Sequence, residues 1–263
     1  MPDAIVIVPT YNERSNLPRL VERIMSVEPT FDVLVVDDNS PDGTGAVADE
    51  LAAAYPAVHT LHRPRKEGLG RAYVAGFKWS LARGYQYLCQ MDADLSHSPE
   101  ALPAFLEAAQ QYDLVLGSRY LGGIRVLDWD MTRLLISSFG NWYARAITGL
   151  PFSDLTGGFK CYARKVLETI DLDQVRSIGY AFQIEMTWWA VRRGFRVGEI
   201  PIIFNGRDHG ETKFSRAILW EAVWTVWKLR LGIIRNAPRL AAPAVPAPPS
   251  CERDAGVPQR PQE

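Results

Sequence analysis

The sequence predicts an α/β protein: a doubly wound, mostly parallel sheet with helices on both faces, and a further helix near the C-terminus. Three observations carry this. Short runs rich in Val, Ile and Leu alternate with helical patterns through the first half. Polar or acidic turns follow several of those runs, as at Pro9-Thr10-Tyr11-Asn12-Glu13, Asp37-Asp38 and Asp92-Ala93-Asp94. The 263 residues, 47% hydrophobic and 22% charged, suffice for one large domain or two small ones.

Taken in order, strands are expected at 4–8, 32–36, 58–61, 87–91 and 114–116, each apolar and bounded by turn residues. Helices are expected between them, near 15–26, 44–54, 69–83 and 99–110. Ser98-Pro99-Glu100 offers a helix start, with a capping hydroxyl, a proline at the first position and an acid in the first turn. The second half is less regular. It reads as helices near 132–147, 163–170 and 180–193, a strand near 195–203 and a helix over about 214–235. Residues 1–236 form one domain on this reading. The remainder, 237–263, holds seven prolines, six alanines and no aromatic residue, the composition of a disordered tail.

Lys and Arg number 29 and Asp and Glu 30, a formal net charge of −1, which argues against a general nucleic-acid binder. Three cysteines without a CxxC pair point to a reducing compartment rather than a disulfide scaffold. The N-terminal apolar run is only Ala4 to Val8, so it reads as a strand and not a signal peptide. No apolar stretch approaches the about 18 residues of a membrane span. Charge is nonetheless uneven. Residues 37–50 carry five acids and no base, whereas 62–83 carry six bases against Glu67 alone. Such patches suit a solvated face, and equally a site that handles a phosphate and a metal.

Asp92 and Asp94 follow an expected strand. Two residues apart on a strand they would project to one side, at the sheet edge where open parallel sheets bind ligands. Paired carboxylates suit Mg2+ or Mn2+; a solvated acidic loop would look the same. The Asp37–Thr44 segment could hold a ribose or base, or simply cap the next helix through Asn39 and Asp42. Its partial likeness to a calcium loop fails on the preceding strand and on Pro41. Tyr11 could stack on a base and Glu13 accept from one, while Asn12 could cap the following helix. Gly117-Ser118-Arg119-Tyr120, Arg133, Asp154-Leu155-Thr156-Gly157-Gly158-Phe159 and the 207–213 segment hold arginine forks and flexible glycines suited to phosphate. His97 is read as supporting the aspartates or starting a helix, not as a ligand of a hard cation. Signatures of hydride transfer, P-loop ATPases, serine hydrolases and zinc proteases are missing.

In sequence order, PTYNE, VVDDNSPDGT, MDADLSHSP, GSRY, SDLTGGF, YAFQIE and RDHGETKFS resemble the dolichol- and polyprenol-phosphate mannose synthases of glycosyltransferase family 2, over roughly residues 4 to 220. The resemblance implies a GT-A fold, GDP-mannose as donor and a polyprenyl monophosphate as acceptor. It places Pro9, Tyr11, Glu13, Val36 and Asp38 around the nucleotide and Asp92 and Asp94 on a Mg2+ or Mn2+ ion, with the Ala93 backbone against the nucleotide. Ser96 stands where some relatives carry a third metal-binding Gln and is counted with the metal residues, its hydroxyl or a water making a weaker third contact. Arg119 and Arg133 match phosphate-meeting positions, with Asp94, Arg119 and Arg133 taken as the catalytic set; Arg119 is also counted with the nucleotide-sugar contacts, and Arg207 and Lys213 match diphosphate-binding ones. It further implies a cytoplasmic protein, peripheral on the cytosolic face of a membrane. Attachment would run through the tryptophan-rich 214–235 helix or through a separate membrane-anchoring protein, unless that helix simply packs on the core. A UDP-sugar transferase, a phosphoacceptor domain using Asp37-Asp38 and a noncatalytic sugar-nucleotide sensor are the competing readings.

Overall fold

The computed structural model describes residues 3–127, 129–206 and 216–236. Arg207, Lys213 and the 237–263 tail lie outside the described residues, as does the start of the expected 214–235 helix.

Seven strands form one sheet: β1 (Ala4–Thr10), β2 (Asp32–Asp37), β3 (Val58–His62), β4 (Tyr87–Gln90), β5 (Leu114–Ser118), β6 (Lys160–Ala163) and β7 (Val197–Pro201). Their spatial order is β3-β2-β1-β4-β6-β5-β7. All neighbours are parallel except β6, which runs antiparallel to both β4 and β5. Eight α-helices are described: α1 (Leu17–Met25), α2 (Thr44–Ala54), α3 (Leu69–Ala82), α4 (Leu102–Ala108), α5 (Met131–Thr148), α6 (Arg164–Thr169), α7 (Gly179–Arg192) and α8 (Arg216–Arg230).

Strand alternation sorts the core into two layers. Val6, Val8, Val33, Val35 and Val115 pack with α1, α2 and α4 on one face. Ile5, Ile7, Leu34, Val36 and Leu116 face α3, α6 and α7 on the other. A third, smaller cluster joins α5, α7 and α8 through Ala144, Ile184, Trp188, Val226 and Leu229. Every expected helix and parallel strand is present within a few residues. β6 is the strand that pattern reading missed: four residues long and opening on a buried lysine, it lacks an apolar run.

Two local expectations are corrected. Ser98 makes no capping bond, and a 3-10 turn at Pro99–Ala101 precedes α4. Asn12 does not cap α1. It takes a left-handed turn at φ 60°, and Asn16 stands at the helix start with its amide on Glu13 Oε2 at 2.9 Å.

Candidate active site

The parallel strands deliver four loops to one edge of the sheet: Tyr11–Glu13 after β1, Asp38 after β2, Asp92–Asp94 after β4 and Arg119 after β5. Because β6 runs the other way, the Asp154–Phe159 loop that enters it reaches the same edge. These segments line one cavity of about 1220 Å³, together with the inner faces of α5 and α8. The crevice at strand carboxyl ends is the usual ligand position in open α/β sheets.

On the β1–β2 side, the two neighbouring aspartates divide their roles. Asp37 accepts from Thr10 Oγ1 at 2.9 Å and from the Ser40 amide and hydroxyl at 3.0 and 2.6 Å, which pins the turn. Asp42 then caps α2 through the Thr44 amide at 3.0 Å. Asp38 instead lines the cavity and pairs with Arg63. Burial raises its pKa despite that partner. Tyr11 presents its ring beneath Lys66 Nζ, 3.8 Å from the ring centroid. Pro9 and Glu13 line the same wall. Val36 does not: alternation along β2 gives it the face that α3 covers, where its side chain is fully buried.

The aspartate pair is placed by a different device from the one expected. β4 ends at Gln90, so strand alternation cannot aim Asp92 and Asp94. A tight turn does so. Leu95 adopts φ 61°, an unusual conformation for an aliphatic residue, and the turn brings the Ser96 amide and hydroxyl to Asp94 Oδ1 at 3.1 and 2.5 Å. Ser96 has no exposed surface, and its hydroxyl proton goes to Asp94, so it sits beneath the carboxylate rather than in the cavity wall. His97 accepts the Asp92 amide on Nδ1 at 3.2 Å and stacks on Phe159 at 5.0 Å. Burial lowers its pKa, which suits a neutral ring acting as acceptor. Its supporting role was legible in the sequence.

The residues fit a hard divalent cation. Asp92, Ala93 and Asp94 all line the cavity, and Gly158 faces Asp92 so closely that a Cβ there would lie 3.3 Å from Oδ2. Among the described residues no group of three His, Cys, Asp or Glu side chains could enclose a metal. A cation held by this pair would therefore complete its shell with water and substrate oxygens, as Mg2+ commonly does.

Opposite lies a buried ion pair. Arg119 Nε and Nη2 meet Asp154 Oδ2 and Oδ1 at 2.6 and 2.7 Å, and Nη2 also meets Thr156 Oγ1 at 2.8 Å. Burial opposes the charge on Asp154, but the guanidinium outweighs it and holds the carboxyl below its ordinary range. Asn141 on α5 braces this loop by accepting the Leu155 amide at 2.9 Å. Arg133 lies one turn into α5, whose first turn Asp130 caps, and its guanidinium sits 4.3 Å from the Trp129 ring centroid. Both arginines line the cavity. Asp154 was singled out only as part of a Gly-rich segment, and Asn141 had no local signal, because each acts on a residue that only the fold brings near.

The model of a family described as "Glycosyl transferase family 2" matches residues 5–171. The chain belongs to glycosyltransferase family 2. It is 50% identical over 230 residues to the polyprenol monophosphomannose synthase of Mycolicibacterium smegmatis, covering 86% of this chain and 87% of that one. It is 50% identical over 222 residues to the undecaprenyl-phosphate mannosyltransferase of Micrococcus luteus, covering 84% of this chain and 91% of that one. Among solved structures, glucosyl-3-phosphoglycerate synthase from Mycobacterium tuberculosis in complex with Mg2+ and UDP superimposes with a TM-score of 0.62 at 16% identity, covering 87% of this chain and 79% of that one. Another structure of that synthase, with Mn2+, UDP and glucosyl-3-phosphoglycerate, gives a TM-score of 0.61 at 17% identity, with 87% and 80% covered. The likeness shows that this glycosyltransferase has the GT-A fold.

Proposed function

We propose that this glycosyltransferase moves mannose from GDP-mannose to a polyprenyl monophosphate, forming a β-mannosyl phosphate lipid and GDP at the cytosolic face of a membrane. The observation that carries it is one cavity joining an acid pair, two arginines and an apolar arm. Asp92 and Asp94 stand on one wall and Arg119 and Arg133 on another, while Ile136, Ala144, Val223 and Val226 extend the space between α5 and α8. An isoprenoid needs such an arm; a small soluble acceptor does not. Relatives named for this chemistry, 50% identical over most of the chain, support the same reading.

Pro9, Tyr11, Glu13 and Asp38 hold the nucleotide on this reading, and Asp92 and Asp94 hold Mg2+ or Mn2+ with Ser96 fixing Asp94. When bound, the cation offsets charge that develops on the departing diphosphate. Arg207 and Lys213 serve the same diphosphate. Arg119 and Arg133 position the acceptor phosphate for in-line attack on the anomeric carbon, which inverts it. The monoester's second pKa of about 6 leaves the nucleophile ionised at neutral pH, so no protein base is needed.

The acceptor's lipid places the enzyme at a membrane, yet among the described residues no helix is long and apolar enough to cross one. Two exposed stripes offer a seat instead. Met131, Leu135, Phe139 and Trp142 recur at helical spacing on α5, and Trp220, Trp224 and Trp227 on α8, continued by Leu231. Tyr143 ties the helices together, accepting from Trp227 Nε1 at 3.0 Å and donating to the Val223 carbonyl at 3.3 Å. Tryptophan beside Lys228 and Arg230 suits the headgroup zone. The decisive test is incubation with GDP-[14C]mannose, Mg2+ and a polyprenyl phosphate, followed by solvent extraction. Label should enter the organic phase with inverted anomeric configuration and resist competition by UDP-glucose. Retention, or no label, would overturn the proposal.

A further inference from the structure

The carboxylate of Asp92 has a partner from a helix that carries no other part of the aspartate turn. Tyr73, fully buried on α3, donates its hydroxyl to Asp92 Oδ1 at 3.1 Å. The missing side chain of Gly158 leaves room beside the whole carboxylate, since a Cβ there would stand 3.3 Å from Oδ2 and 3.4 Å from Oδ1. Oδ1 is thus tied to the protein interior by Tyr73, and Oδ2 has no such tie to α3, while the residue lines the cavity.

The fold goes to some length to put that hydroxyl there. Gly70 and Gly76 lie three residues either side of Tyr73 on α3. A Cβ on Gly70 would come within 2.4 Å of the Ser177 carbonyl and 2.9 Å of the Phe182 ring, and one on Gly76 within 2.5 Å of Ile7. The bare backbones seat α3 tightly on both β1 and α7. Between them the Tyr73 ring stacks on Phe182 with an interplanar angle of 4° and a centroid separation of 5.9 Å, and on Phe77 at 6.3 Å. Helix position, ring plane and hydroxyl direction are all fixed by packing. An ordinary core tyrosine would satisfy its hydroxyl on a backbone carbonyl or in water. This one ends on a carboxylate that lines the candidate site.

We infer that Tyr73 is a positioning residue that holds Asp92 Oδ1 so that Oδ2 meets the divalent cation. The inference rests on the reading of Asp92 and Asp94 as cation ligands. Partners that orient metal ligands commonly govern affinity by ten- to a hundredfold.

Tyr73→Phe removes the hydroxyl and keeps the ring stack. In the full chain with GDP, Mn2+ affinity read from the EPR signal of free Mn2+ should fall about tenfold or more. GDP binding without metal should be unchanged, and kcat should return to near the wild-type value at saturating Mn2+. Phe77→Leu is the control for loosened packing. It disturbs the stack without touching the hydroxyl, and should lower the Tm while leaving Mn2+ affinity within about twofold of wild type. Wild-type Mn2+ affinity in Tyr73→Phe would overturn the inference. So would a kcat that stays low at saturating metal, or an equal loss of affinity in Phe77→Leu. If the wild-type protein with GDP binds no Mn2+, the cation reading of Asp92 and Asp94 fails and the inference with it.

Discussion

Helices α1 and α5 each carry apolar residues at helical spacing and do opposite things with them. In α1, Leu17, Leu20, Val21 and Ile24 are all buried against the sheet. In α5, the buried residues are Asn141, Ala144 and Thr148, while Phe139 and Trp142 are 62% and 61% exposed. A stripe pointed at the sheet contributes to folding. A stripe pointed outward, on a helix whose other side lines the cavity, remains available to a second phase. Stability and function thus draw on one residue alphabet in different directions, and only the position of the sheet distinguishes them.

The sharpest way to break this contrast is a charge in each stripe. Leu20→Asp should cost about 5 kcal/mol or more and yield little folded protein, since an unpaired carboxylate would enter the core. Phe139→Asp should change stability by about 0.5 kcal/mol or less. Urea unfolding of both variants measures this, and equal tolerance would end the distinction. Next in size, Asp154→Asn should cost about 3–5 kcal/mol, because Arg119 would be left buried beside a neutral amide. It should also raise the KM for the polyprenyl phosphate. Smaller again, Phe139→Asp should weaken flotation with anionic vesicles about ten- to a hundredfold with little change in Tm, since one aromatic side chain is worth about 1.5–3 kcal/mol when buried.

A last expected effect concerns pH. Lys160 is buried on β6, donating to the Gln183 carbonyl at 2.7 Å and Thr187 Oγ1 at 2.9 Å, and burial lowers its pKa to about 7. The unfolded chain, with an ordinary lysine, holds more protons than the folded one between there and about 10.4. Stability from this group should therefore rise with pH across that window and be lost as pH falls through about 7. Lys160→Met should flatten that part of the urea-midpoint profile; an unchanged slope would assign it to other groups.

The parallel core was legible because its strands are apolar on both faces and long enough to show it. β6 was not, since four residues opening on Lys160 give no periodicity and its partners lie 40 or more positions away. The aspartate pair does line the cavity, but it is aimed by a different geometry from the one expected: a left-handed Leu95, invisible to pattern reading, replaces the strand that was to aim it. Val36 was carried to the nucleotide by resemblance and sits in the core because its register gives it the α3 face. Tyr73 looked like helix interior, which it is. That its hydroxyl reaches Asp92 depends on close approaches at Gly70 and Gly76 that no local signal encodes.

The placement of β6 also dictates a timetable. It lies between β4 and β5 in the sheet yet follows both in the chain. When the first 118 residues have left the ribosome, the strand that leads to Asp92 and the strand that leads to Arg119 still lack the neighbour that joins them, and each presents an open edge. Only when residues 160–163 emerge can the two halves be zipped together. Until then the edges of β4 and β5 that β6 will cover stay open to pairing with another chain.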